Sequence, residues 1–185
     1  MPRPNAVAIL VGAPRTGKTT LTKKLIEASN KKVLIYDVNN EEAYDDYKRM
    51  PLKKLRGWKG GKWKVFTDDA EELIYQIYAN VRNATIIFED ATSYINRDTA
   101  KYLRKILVSR RHMNLDIIFS FHSLNQVPPM IYEMSNYISL KKTNDTIQKV
   151  KGLNKLPNPD DVMKAFTKVH KSKDPFVTVT VKTNV

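Results

Sequence analysis

Residues 12–19 read Gly-Ala-Pro-Arg-Thr-Gly-Lys-Thr, a complete G-x-x-x-x-G-K-[ST] element. It follows a short apolar run, Ala6 to Val11, and opens an amphipathic stretch from Lys18 to Ala28. A strand before the element and a helix after it commit the chain to an α/β arrangement. The chemistry explains the spacing. Gly12 and Gly17 let the backbone wrap closely, so successive N–H groups point inward at phosphate oxygens. The helix that opens around Lys18 adds its N-terminal partial positive charge. Lys18 then sets an ammonium against the β- and γ-phosphates, and the Thr19 hydroxyl is a ligand for Mg²⁺. The expected nucleotide-binding residues are Gly12, Ala13, Pro14, Arg15, Thr16, Gly17, Lys18, Thr19 and Thr20, and the expected cofactors are ATP and Mg²⁺.

The rest of the chain alternates in the way such a loop requires. Residues 32–38, 84–90, 115–121 and 136–141 are short runs rich in Ile and Val, bounded by polar or turn residues. Like 6–11, they read as strands buried on both faces, the pattern of a parallel sheet. Helical spacing covers 18–28, 70–81 and 99–110, and in the last of these Tyr102, Leu103, Ile106 and Leu107 form one apolar stripe. Residues 63–66 suggest a further short strand with no clear place in the sheet. After Lys142 the pattern weakens to a turn and helix at 156–166, with Asn158 or Asp160 near the N-cap, and an alternating strand at 175–181. One domain over 1–185 is expected, with a core at about 6–141 and a C-terminal helix and strand extension at 142–185.

A phosphate loop of this kind needs an acidic residue on a second strand. The run 84–90 supplies Glu89-Asp90, two adjacent acids at a buried strand's end that are costly to desolvate without a cation. One would hold Mg²⁺ and the other would polarise an attacking water. The order is the reverse of the usual Asp-Glu. By register, with Ala91 following, Glu89 is assigned to the metal and Asp90 to the water; the swapped assignment stays open. The strand at 115–121 runs into His122-Ser123, where His122 is either a site residue or an ordinary surface or core histidine. Arg110 and Arg111 close the preceding helix, where cations also simply complement the helix dipole.

Charge distribution adds a candidate partner. The chain has 185 residues, 32 Lys and Arg against 19 Asp and Glu, and a formal net charge of +13. Such a balance favours a polyanion, or merely keeps a basic protein in solution. The segment 48–64 holds eight basic residues and no acid, and 101–112 holds five basic residues and no acid. Within the first, Trp58 and Trp63 interleave with Lys59, Lys62 and Lys64 around Gly60-Gly61. That composition suits a mobile loop tracking a nucleic-acid backbone, and equally a surface hairpin whose tryptophans pack on the sheet. Tyr44 and Tyr47 have the spacing of a packed helix face. The chain lacks cysteine, which excludes a disulfide scaffold, a thiolate zinc site and a catalytic thiol. No apolar run approaches membrane-spanning length, so a soluble, intracellular protein without a membrane anchor is expected.

Taken in order, GAPRTGKT, KVLIYDVNNEEAY, TIIFEDAT and SRRHMNLDIIFSFHS, followed by VPP, resemble the HerA/FtsK superfamily of additional-strand P-loop ATPases over residues 6–141. Within it, the small size and the Arg-His before the fourth strand look most like viral and phage genome-packaging ATPases. The resemblance implies a RecA-like P-loop NTPase sandwich. Its mainly parallel sheet would have about five strands in the order 5-1-4-3-2, with helices on both faces. It implies an ATP-hydrolysing motor, a homo-oligomeric ring (a hexamer), DNA as partner and a capsid vertex component as docking site. Action in the host cytoplasm or at the virion follows. His122 matches the sensor beside the γ-phosphate, and Arg110 or Arg111 the arginine finger reaching a neighbour's site. Two other readings stay open: a nucleotide kinase, and a nucleotide-switched DNA-binding module that does not translocate.

Overall fold

A computed structural model of the chain describes residues 5–146, 150 and 158–183. Residues 156 and 157 of the expected turn lie outside them. The strands are β1 (Val7–Val11), β2 (Lys32–Tyr36), β3 (Lys48–Arg49), β4 (Lys62–Val65), β5 (Ala84–Phe88), β6 (Leu115–Phe121), β7 (Tyr137–Leu140) and β8 (Val179–Lys182). The helices are α1 (Lys18–Ala28), α2 (Ala70–Asn80), α3 (Arg97–Met113), α4 (Pro129–Met134) and α5 (Pro159–Lys171).

All eight strands join one sheet in the order β3-β4-β2-β5-β6-β1-β7-β8. The expected sheet of about five strands is therefore corrected to eight, which changes the order of the whole sheet, while the five expected strands stand within it as β7-β1-β6-β5-β2. β4 and then β3 extend the edge beyond β2, and β8 extends the edge beyond β7. Among the described residues every pairing is parallel except β7 with β8. The reason for the parallel centre is visible in β5, where all five residues of Ala-Thr-Ile-Ile-Phe are buried. A strand apolar on both faces must be covered on both faces.

Alternate residues divide between two cores. Leu34, Tyr36, Ile86, Phe88, Ile117 and Phe119 point into the larger one, with Leu73, Ile77, Leu103 and Ile106 of α2 and α3. Val33, Ile35, Ile87 and Ile118 point into the smaller one, where Ile26 of α1 and Tyr44 close over the opposite face. α3 starts at a capping box, in which the Asn96 side chain accepts from Thr99 N–H at 3.0 Å and Thr99 Oγ1 accepts from Asn96 N–H at 2.9 Å. It ends where Asn114 turns left-handed at φ 52°. β3 has no legible pattern because its two residues are exposed cations.

Candidate nucleotide site

Parallel strands finish on one edge of the sheet, and five of them each place a glycine or polar residue, in or next to the site, immediately beyond their last position. Gly12 follows β1, Asp37 follows β2, Glu89 follows β5, His122 follows β6 and Lys141 follows β7. Ligands in open α/β sheets bind at this edge, because strand order leaves a crevice there and helices begin there. The G-x-x-x-x-G-K-T loop is pinned between its neighbours: Gly12 N–H donates to Phe121 O at 3.1 Å, and Ala13 N–H donates to Lys142 O at 2.8 Å. A β-carbon on Gly12 would stand 2.7 Å from Thr16 Oγ1 and 2.8 Å from Lys141 Cβ, so no side chain fits. Gly17 turns left-handed at φ 80° to start α1.

The loop opens onto a cavity of about 450 Å³. Lys18, Thr19, Glu41, Glu89, Asp90, Ser120 and His122 line it together with the loop. Lys18 Nζ donates to Gly12 O at 2.5 Å and lies 2.9 Å from His122 Nδ1. An ammonium has only donors, so Nδ1 accepts and the ring proton sits on Nε2. That Nε2 faces Asp90 Oδ1 at 3.4 Å. Lys18, His122 and Asp90, expected separately from three stretches of sequence, thus form one chain of polar contacts. Burial lowers the Lys18 pKa from its ordinary value, while the charges of Glu89, Asp90 and Glu41 oppose the shift.

The two acids are held differently. Glu89 is buried, and its Oε1 accepts from the hydroxyl of the fully buried Tyr44. Asp90 turns left-handed at φ 42°, and its Oδ2 accepts from Asn39 Nδ2 at 3.1 Å. Among the described residues no group of three His, Cys, Asp or Glu side chains is arranged to hold a metal ion unaided. Mg²⁺ in nucleotide sites takes only one or two carboxylates, with water and phosphate oxygens completing its shell. The hard oxygens of Thr19 and Glu89, lining one cavity, fit that requirement.

Several site residues were not legible beforehand. Tyr44 was read as packing; it packs, and it also holds Glu89, and both burial and the Glu89 charge push its pKa up. Asp37 is 1% exposed, its pKa is raised by burial, and its Oδ2 has no partner among the described residues. Glu41 lines the cavity, and burial followed by the Glu89 and Asp37 charges raises its pKa. The signal for these was the run DVNNEEAY, which carries polar residues directly after an apolar strand. Lys141 and Phe176 gave no signal.

The 48–64 segment is not a free loop. Trp58 is 8% exposed and belongs to the larger core, with Lys32 Nζ 4.5 Å from its ring centre. Lys64 is 2% exposed and pairs with Asp45 at 2.5 Å, while Lys62 pairs with Glu27 at 2.6 Å. Trp63 is half-buried, with its Nε1 donating to Gly60 O at 3.0 Å. As DNA contacts, Trp58 and Lys64 are corrected: a buried ring and a buried, paired ammonium cannot track a backbone. Lys59 remains exposed. Arg110 and Arg111 end α3 beside the start of β6, at the sheet edge opposite the cavity. Arg110 donates through Nε to Asn5 O at 3.2 Å and through Nη1 to Leu107 O at 2.7 Å, while Arg111 is exposed.

Comparison with solved structures places this arrangement. The genome packaging NTPase B204 from Sulfolobus turreted icosahedral virus 2, in complex with sulfate, matches with a TM-score of 0.73 at 20% identity, over 98% of this chain and 93% of that chain. This chain shares the fold of B204. B204, the DNA-packaging ATPase from Sulfolobus Turreted Icosahedral Virus, gives 0.74 at 17% identity, over 98% of this chain and 94% of that chain. EssC (ATPases 2 and 3) from Geobacillus thermodenitrificans gives 0.57 at 11% identity, over 97% of this chain and 38% of that chain. B204 from Sulfolobus turreted icosahedral virus 2 has also been solved in complex with AMPPCP and with ATP-gammaS. No family model matches the sequence, and no curated protein matches it. Among the described residues no helix is long and apolar enough to cross a membrane.

Proposed function

We propose that this chain is an ATPase that moves DNA, packaging a viral or phage genome as a homo-oligomeric ring of single-domain subunits. The observation that carries the reading is the contact chain from Lys18 through His122 to Asp90 within one cavity. The loop's N–H groups and Lys18 would take the triphosphate charge. Asp90, oriented by Asn39 and His122, is the group to hold and deprotonate the attacking water. Because His122 touches both, a change in the Lys18 position on binding phosphate is transmitted to the carboxylate that handles the water. Glu89, fixed by Tyr44, and Thr19 would hold Mg²⁺, which supplies charge neutralisation at the β- and γ-oxygens. The exposed Arg111, rather than the backbone-bound Arg110, is the better candidate for a finger reaching the next subunit. Lys59, with Lys62 and Trp63 beside it, is what remains of the DNA surface, and a capsid vertex is the docking site. The likeness in fold to B204 supports the packaging role, and the host cytoplasm is where it would act.

The test is ATP turnover with and without DNA, alongside sizing. Turnover should rise with DNA, oligomers should form with nucleotide, and Asp90→Asn should bind ATP yet lose hydrolysis by about 10²-fold or more. DNA affinity should fall steeply with salt, by about 0.9 in log–log slope per duplex phosphate contacted. A monomer whose turnover ignores DNA, or one that passes phosphate to a nucleoside monophosphate, would replace this reading with the kinase.

A further inference from the structure

The carboxylates occupy one flank of the cavity. β1, which carries the phosphate loop, has β6 and β5 on one side, bearing His122 and Glu89-Asp90, and β7 and β8 on the other. On that second flank Phe176 lines the cavity and is 62% exposed. Its Cδ1 is 3.3 Å from where a β-carbon on Gly17 would stand, so the ring rests against the loop at the start of α1.

Contacts to its backbone hold the segment that carries the ring. Lys141 Nζ donates to Phe176 O at 3.1 Å, and Asp174 Oδ1 accepts from Phe176 N–H at 2.8 Å. Lys141 is 4% exposed, so the anchor of this segment is a buried cation rooted at the end of β7 beside the phosphate loop. An accessible aromatic face beside a phosphate site is what the flat, weakly polar base of a nucleotide would cover.

We propose that Phe176 is the base-side wall of the site, stacking on the base of a bound nucleoside triphosphate. This rests on the reading of the cavity as a nucleotide site. The two are separated by titrating ATP and inorganic tripolyphosphate calorimetrically into the wild-type chain, Phe176→Ala and Phe176→Tyr. Phe176→Ala should weaken ATP by roughly 5- to 150-fold while leaving tripolyphosphate unchanged, and Phe176→Tyr should keep wild-type affinity for both. Equal weakening of ATP and tripolyphosphate in Phe176→Ala, or no weakening of either, overturns the stacking role while leaving the phosphate loop intact. Failure of the wild-type chain to bind ATP or tripolyphosphate takes down the nucleotide site and the stacking role together.

Discussion

Residues 12–19 and 48–64 look alike on paper: both combine glycines with cations, and both invite a polyanion. Their structures diverge. In the first, glycines remove side chains so that backbone and Lys18 converge on a shared cavity. In the second, Lys62 and Lys64 are paired with Glu27 and Asp45, and Trp58 is core. Charge counted along a chain is therefore not charge offered to a ligand. What separates the two stretches is whether the fold supplies counter-ions from elsewhere, and for 48–64 those come from α1 and from residues just before β3.

The sharpest way to break the contrast is Lys18→Ala against Lys64→Ala. Lys18→Ala should cut ATP turnover by about 10²–10³-fold or more, because preorganised charge dominates phosphoryl transfer, with the melting temperature little changed. Lys64→Ala should leave turnover per folded molecule near wild type. Comparable losses of turnover in both would erase the distinction. Next in size is Trp58→Ala, expected to cost about 3–5 kcal/mol of stability in denaturant unfolding, in keeping with a large buried ring. A loss of DNA affinity with stability intact would restore Trp58 to the binding surface.

The smallest effect compares two buried charges. Lys64 has its counter-ion, whereas Asp37 keeps an unpartnered oxygen and a pKa raised above its ordinary 3.8 by burial. A carboxyl raised in the folded state binds its proton more tightly there than when unfolded. Its contribution to stability is thus present at low pH and declines as pH rises from 3.8 through the raised value. Asp37→Asn should remove that decline, seen as a shallower fall of unfolding free energy across the window; identical pH profiles would show that Asp37 is not buried as a charge.

How much was legible follows the same line. The five apolar runs and the motif element were readable because local pattern and fold agree: strands buried on both faces have to be apolar throughout, and glycine spacing follows from close backbone approach. The acids and His122 were readable because each sits immediately after such a strand. Of the outer strands, β8 was readable from its alternation and β4 was readable as a strand but not placed, since only its pairing with β2 fixes its position; β3 was not readable, since Lys48-Arg49 is exposed. Tyr44 was half legible: its burial could be inferred, but its bond to Glu89 spans 45 residues of sequence and depends on the fold. Phe176 reaches the loop from 159 positions away.

The outer strands also bear on assembly. β3 is two exposed cationic residues long, and β8 is four residues carrying Lys182 at its end. Short, charged rims discourage a neighbouring chain from adding itself as a further strand. Copies that do not pair by strand addition meet through side chains, and contacts of that sort can slide and re-form while each sheet stays whole. In the ring proposed above, a subunit so bounded would change its angle to the next without unzipping any backbone ladder, a freedom that a continuous intersubunit sheet would remove.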